Sequence, residues 1–240
     1  AALARGTRFV DRDLNRIWTE EELARGTEDG SAESVERAEL RDTIEARLAA
    51  HPGRALFLDL HSTSAAGPPF AILGDTLANR EIAFSFGIPV VLGLEENVHG
   101  TLLEYYGERG HVAVGLEGGQ HDEPTTVDHH ESALWVALVA GGLLEEGRAP
   151  ELGLHRARLA ERARGIPPVL EILHRHEVRD LAGFAMEPGF ANFQPVEAGR
   201  LMARDGPGGR AEVRPASGGI LLMPRYQGQG LDGFFVTRPV

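Results

Sequence analysis

The sequence predicts an α/β fold, a largely parallel sheet with flanking helices, followed by a small all-β segment. Three observations carry that prediction. Short apolar runs alternate with stretches of helical period as far as Leu144, the pattern of strands and helices taken in turn. After Gly165, glycine and proline cut the chain into short apolar runs such as Ile220-Leu221-Leu222-Met223. The 240 residues are 42% hydrophobic and 25% charged, a globular balance with room for one large domain or a domain plus a small one.

Taken in order, residues 19–31 are polar and contain glycine, and read as a loop. Leu40, Ile44 and Leu48 share a helical spacing and predict a helix with that stripe inward, stopped by His51-Pro52-Gly53. Ala55-Leu56-Phe57-Leu58-Asp59-Leu60 is a buried strand ending at His61. Phe70–Leu73 gives a second strand, and a helix follows over 78–86. Gly87-Ile88-Pro89 then turns the chain into Val90-Val91-Leu92. After a short helix near 101–106, Val112, Val114 and Leu116 alternate in a strand that ends at Glu117-Gly118-Gly119. Residues 133–144 are almost wholly apolar and read as a buried helix. An arginine-rich helix over about 150–164 marks the change of character. The expected domains are therefore 1–155, carrying the sheet and helices, and 166–240, all-β.

The formal net charge of −12 argues against a nucleic-acid surface, which needs a basic stripe to displace counterions. No run approaches the ~18 apolar residues of a membrane span, so no membrane partner is expected. With no cysteine, disulfides and thiolate metal sites are excluded, and a cytoplasmic setting is expected. All 24 basic residues are arginine, which removes lysine Schiff-base chemistry. The chain opens Ala1-Ala2-Leu3 without a methionine, the look of an interior cut, so no targeting segment can be read. Oligomeric state is silent.

His61 and Glu117 both stand where a strand gives way to a loop, the end at which open α/β sheets bind ligands. Asn15-Arg16 supplies an amide beside a planar guanidinium, a pair suited to holding a carboxylate bidentately. Three ordered motifs then carry a resemblance. Arg8 with Asp13-Leu14-Asn15-Arg16, Asp59-Leu60-His61-Ser62-Thr63-Ser64, and Gly115-Leu116-Glu117-Gly118-Gly119-Gln120 resemble the succinylglutamate desuccinylase/aspartoacylase family, a branch of the zinc-carboxypeptidase-like hydrolases. The resemblance implies a carboxypeptidase-like mixed sheet with a capping β domain. It implies a zinc-dependent amidohydrolase that removes an acyl group from a small anionic N-acyl amino acid. It implies that His61 ligates the zinc and Glu117 is the general acid/base. Arg8 would hold the developing oxyanion, and Asn15 and Arg16 the substrate carboxylate. By the same resemblance Tyr226 and Arg109 are candidate substrate contacts, and Asp13 and Asp59 support the site, Asp59 by orienting the His61 ring.

The family draws two further zinc ligands from an early His-x-x-Glu motif, which does not occur before Arg8. The His-x-x-Glu from His174 to Glu177 lies after every other motif. A hydrolytic zinc site normally takes about three protein ligands. Either these come from upstream of Ala1 or the chain is a carboxylate-binding pseudoenzyme; a carboxypeptidase acting on peptide C-termini is the other alternative. Other clusters carry less. His121-Asp122-Glu123 with His129-His130-Glu131 reads as a solvated helix start. His174 and His176 share a strand face but lack a third ligand. Gly228-Gln229-Gly230-Leu231-Asp232-Gly233 spells a dinucleotide-binding consensus with no room for the helix it needs.

Overall fold

The computed structural model describes residues 2–94 and 96–240; Ala1, where the chain opens, lies outside the described residues. The helices are α1 (Ala2–Arg5), α2 (Glu20–Arg25), α3 (Ala32–Ala50), α4 (Leu77–Ser85), α5 (Leu102–Glu108), α6 (Pro124–Ala140) and α7 (Leu152–Arg162). The first strands are β1 (Leu56–Thr63), β2 (Phe70–Leu73), β3 (Val90–Leu92), β4 (Val112–Gln120) and β5 (Val169–Glu177). Then come β6 (Ala185–Met186), β7 (Pro195–Val196), β8 (Ala203–Asp205), β9 (Ala211–Val213), β10 (Gly219–Leu222) and β11 (Asp232–Pro239).

Eight of these strands form one mixed sheet in the order β1-β4-β2-β3-β5-β11-β10-β7, and β6-β8-β9 form a small second sheet. β1 runs parallel to β4, and β2, β3 and β5 run parallel to one another. The contacts of β4 with β2 and of β5 with β11 are antiparallel, as are those of β10 with β11 and β7. The strand-rich segment after residue 166 does not stand apart. β5 continues the sheet through Val90↔Val169 and Val91↔Leu170, so the chemical change seen in the sequence falls on a connection inside one sheet.

Strand alternation sorts the side chains. Leu56, Leu58 and Leu60 of β1 and Val114 and Leu116 of β4 pack with Ala133, Val136, Ala137 and Leu159 of α6 and α7 in the main core. The intervening residues therefore face the other side, where Phe57 stacks on Tyr106 of α5 with ring centroids 4.4 Å apart. Asp59, His61 and Glu117 share that second face. A further core gathers Met202, Leu221, Phe234 and Val236 under the C-terminal strands, and a third joins Phe70, Val91 and Val98 to Leu222 and Phe235.

Three local expectations change. Residues 20–25 form a helix, because the Thr19 hydroxyl caps it by accepting from Glu22 N at 3.2 Å and three glutamates fill its first turn. In α3 the buried residues are Glu33, Ser34 and Arg37, whereas Leu40, Ile44 and Leu48 are only half-buried. α6 is two-faced rather than buried throughout, with Val136 enclosed and Val127 and Leu134 exposed.

Candidate active site

The residues at 8–16 reach the sheet as a loop that α3 holds in place. Buried Glu33 accepts hydrogen bonds from the backbone N–H of Val10 (2.6 Å), Asp11 (3.1 Å) and Arg12 (3.0 Å). Burial alone would raise its carboxyl, but these donors outweigh that and hold it below its ordinary value. One turn on, Arg37 is 1% exposed and donates to the carbonyls of Ile17, Glu22 and Gly26 at 2.6–2.8 Å. The loop ends in a 3-10 turn, Leu14–Arg16, capped by Asp13, which accepts from Asn15 N. Trp18 N then bonds Gly100 O at 3.0 Å. That approach requires glycine: a Cβ on Gly100, whose φ is +75°, would lie 2.5 Å from Arg16 O.

His61 and Glu117 are paired residues of the parallel β1–β4 ladder. His61 Nε2 donates to Asp59 Oδ2 at 2.8 Å, which leaves Nδ1 as the ring nitrogen open to a ligand. Burial of the ring opposes its charged form, yet the Asp59 bond and the Glu117 charge outweigh it and raise the His61 pKa. Glu117 is 4% exposed, and its Oε2 is buried with no hydrogen-bond partner among the described residues. Burial pushes its carboxyl up, against the charges of His61, Arg8 and His121.

Two histidines brace these strand ends from behind. His129 is buried and donates Nδ1–H to Gly118 O at 2.6 Å; His130 donates Nε2–H to His61 O at 2.8 Å. Burial lowers both pKa values, so the neutral ring is favoured. The expectation of a solvated helix start is corrected here for His129 and His130: the two rings point at adjacent strands and close a carbonyl near the end of each. His176 likewise is committed, with Nε2 2.9 Å from Asp205 Oδ2.

One cleft of about 110 Å³ is lined by Arg8, Asn15, Arg16, His61 and Glu117 together. Arg8 Nε bonds Asp13 Oδ2 at 2.9 Å. Asn15 accepts from Leu102 N at 3.0 Å and so joins the loop to the start of α5. Arg16 bonds Asp232 Oδ2 at 3.0 Å, and Arg175 holds the other oxygen of Asp232 at 2.6 Å. The cleft adjoins a cavity of about 550 Å³ through Ile72, Leu94 and Val98. Two sequence candidates stay outside. Arg109 lies 3.4 Å over the Tyr105 ring and pairs with Glu20. Tyr226 turns its hydroxyl to Phe190 N and Glu187 O, both at 2.9 Å. Arg225 and Asp232, by contrast, line the cleft from the C-terminal strands, and no local sequence signal marks them.

Among the described residues no group of three or more His, Asp or Glu side chains is placed to hold a metal ion. His61 with a free Nδ1 is one ligand position, which falls short of the three that a hydrolytic zinc centre uses.

The catalytic-domain profile of the succinylglutamate desuccinylase/aspartoacylase family matches residues 1–136. No curated protein matches the chain by sequence search. Among solved structures, the chain is similar to a succinylglutamate desuccinylase/aspartoacylase from Rhodobacter sphaeroides, at 18% identity and TM-score 0.60, over 100% of this chain and 72% of that one. It is similar to the product-bound ectoine utilization protein EutE (DoeB) from Ruegeria pomeroyi, at 21% identity and TM-score 0.64, over 99% and 71%. It is also similar to murine aminoacylase 3, at 17% identity and TM-score 0.60, over 100% and 80%.

Proposed function

The chain belongs to the succinylglutamate desuccinylase/aspartoacylase family, and from that premise we propose that it is an amidohydrolase removing the acyl group from a small N-acyl amino acid with a free carboxylate. The observation that carries this reading is Glu117, a buried carboxyl with an unpartnered oxygen that lines one cleft with Arg8, Asn15 and Arg16.

Each residue has a task suited to its surroundings. Glu117, raised by burial, takes a proton from the attacking water and returns it to the leaving amine. Arg8 adds positive potential where the scissile carbonyl becomes an oxyanion, stabilising the transition state more than the ground state. Asn15 and Arg16 receive the substrate carboxylate, which takes a place beside Asp232 on the Arg16 fork.

His61 is proposed as one ligand of a zinc ion, through Nδ1. The described residues do not complete that ion's ligand set, and the tasks above are those of this chain's own side chains. Names among the solved relatives, desuccinylase and aminoacylase, support acyl removal as the reaction.

Hydrolysis of N-acetyl and N-succinyl amino acids by the purified protein, set against short peptides, is the test. Release of free amino acid from the acylated compounds is expected. Turnover of peptides alone would replace this reading with a carboxypeptidase, and turnover of neither class would remove it.

A further inference from the structure

Five successive backbone N–H groups, Arg8 to Arg12, donate to two side chains from other parts of the chain. Glu33 takes the last three. Gln229 takes the first two: its Oε1 lies 2.8 Å from Arg8 N and 3.3 Å from Phe9 N. The Arg8 guanidinium is aimed separately, by Asp13 at 2.9 Å. Gln229 stands in the turn between β10 and β11, within the glycine-spaced run that spells a nucleotide-binding consensus.

That turn is anchored on the ends of the two strands that carry His61 and Glu117. Tyr226 N donates to Ser64 Oγ at 2.9 Å, in the loop after β1. His121, just past β4, donates Nε2–H to Gln227 Oε1 at 2.9 Å and accepts at Nδ1 from the Ser62 hydroxyl at 2.8 Å. A line of contacts therefore runs from the ends of β1 and β4, through Gln227 and Gln229, to the backbone of Arg8. Gln227 lines the cleft and Gln229 does not, so Gln229 reaches the cleft through Arg8.

The bond to Arg8 N is exposed, and water would serve that donor nearly as well. A side-chain acceptor there adds position more than stability. An amide suits the place, since its oxygen takes both N–H groups without bringing a charge that would neutralise Arg8.

We propose that Gln229 is a positioning residue: it fixes the Arg8 backbone relative to Glu117, so that the guanidinium meets the oxyanion of the scissile carbonyl. The inference rests on the amidohydrolase reading above. A preorganised cation acts only where it is accurately placed, and a misplacement of about 1 Å costs as much as ~10²-fold in rate.

The test combines amide hydrogen exchange with steady-state hydrolysis of whichever N-acetyl or N-succinyl amino acid the unaltered protein turns over fastest. Gln229→Met keeps the bulk and removes the amide acceptor. It is expected to speed exchange at Arg8 and Phe9 while leaving Val10 to Arg12 unchanged. Its kcat is expected to fall ~10- to 100-fold with KM within about twofold, the split for a contact made in the transition state. Gln229→Glu keeps the acceptor and should leave the Arg8 and Phe9 amides protected. Arg8→Met is expected to lower kcat by ~10²- to 10³-fold, and adding Gln229→Met to it by no more than about twofold further, because the two act as one unit.

A kcat in Gln229→Met within about twofold of the unaltered protein overturns the proposal, as does a change confined to KM. So does an equal loss from Gln229→Met with and without Arg8, or equal loosening of the two amides in Gln229→Glu. If the unaltered protein hydrolyses these compounds and kcat ignores Gln229, the role of Gln229 falls alone. If it hydrolyses none of them, the amidohydrolase reading falls and this role with it.

Discussion

His61 and Glu117 face each other across one rung of the parallel β1–β4 ladder, and the carbonyl of His61 is held from behind by His130. The Glu117 carboxyl and the ring beside it are thus set by strand register rather than by loops. A one-residue slip of either strand would turn its own residue to the opposite face of the sheet and separate the pair.

Glu117→Gln is expected to lower kcat by ~10²- to 10⁴-fold, the range for losing a general acid/base. Circular dichroism should show the fold unchanged. Activity within a factor of ten of the unaltered protein would exclude Glu117 from the reaction.

The same substitution has a signature in stability. Glu117 has a raised pKa in the folded state, so its neutral form favours folding, and that contribution fades as pH rises from the ordinary carboxylate range through the raised value. Glu117→Gln removes the ionisation and should melt higher than the unaltered protein above that window, with the two converging in acid. Parallel melting curves across pH would show that burial does not penalise the charge.

Arg37 holds the backbone carbonyls of Ile17, Glu22 and Gly26, which follow the 8–16 loop. Arg37→Met is expected to destabilise the protein by about 2–4 kcal/mol in urea unfolding, since buried acceptors lose their donors. KM should rise more than kcat falls, because Asn15 and Arg16 lose their support.

At Gly118 an added Cβ would lie 2.4 Å from His130 Nε2. Gly118→Ala is expected to cost about 1–3 kcal/mol and to break the His130–His61 carbonyl bond. A melting temperature unchanged within error would show that the ring can move aside at no cost.

Acid should weaken the C-terminal strands, as it does the β1 and β4 segments that His129 and His130 brace. Burial lowers the His176 pKa, and Asp205 is held below its ordinary value because three backbone donors and His176 outweigh its burial. For His176 the unfolded chain binds the proton more readily, so stability falls as pH drops below about 6.5. The Asp205 contribution, present above about pH 3.9, is lost on further descent through its folded value. Hydrogen exchange of Phe234 and Val236 amides between pH 7 and pH 4 reads the His176 part; unchanged protection over that range would contradict it.

Much of the sheet was legible because apolar runs and their breaks are local. β2 and β3 coincide with the apolar tetrad and triad that announce them, whereas β1 and β4 run past His61 and Glu117 to Thr63 and Gln120. The polar supports were hidden. Glu33 and Arg37 look like an exposed helix face until the backbone they hold is known. His129 and His130 sit among acidic residues, and their burial depends on strands distant in the chain. Asp232 reaches the cleft through the pairing of β11 with β5, and Arg225 through the turn before β11, where its N–H bonds Gly233 O; no spacing encodes either. Arg109 and Tyr226 were singled out by residue type, which does not reveal that Tyr105 and Glu20 hold one side chain and Glu187 and Phe190 the other.

The unbroken sheet from β1 to β7 has a consequence for how the cleft can open. The wall bearing Arg225 is hydrogen-bonded through β11, β5 and β3 to the strands bearing Glu117, so it cannot swing open as a separate body without tearing that ladder. A graft of a foreign C-terminal half would have to reproduce the β3–β5 seam, not merely the residues around the cavity.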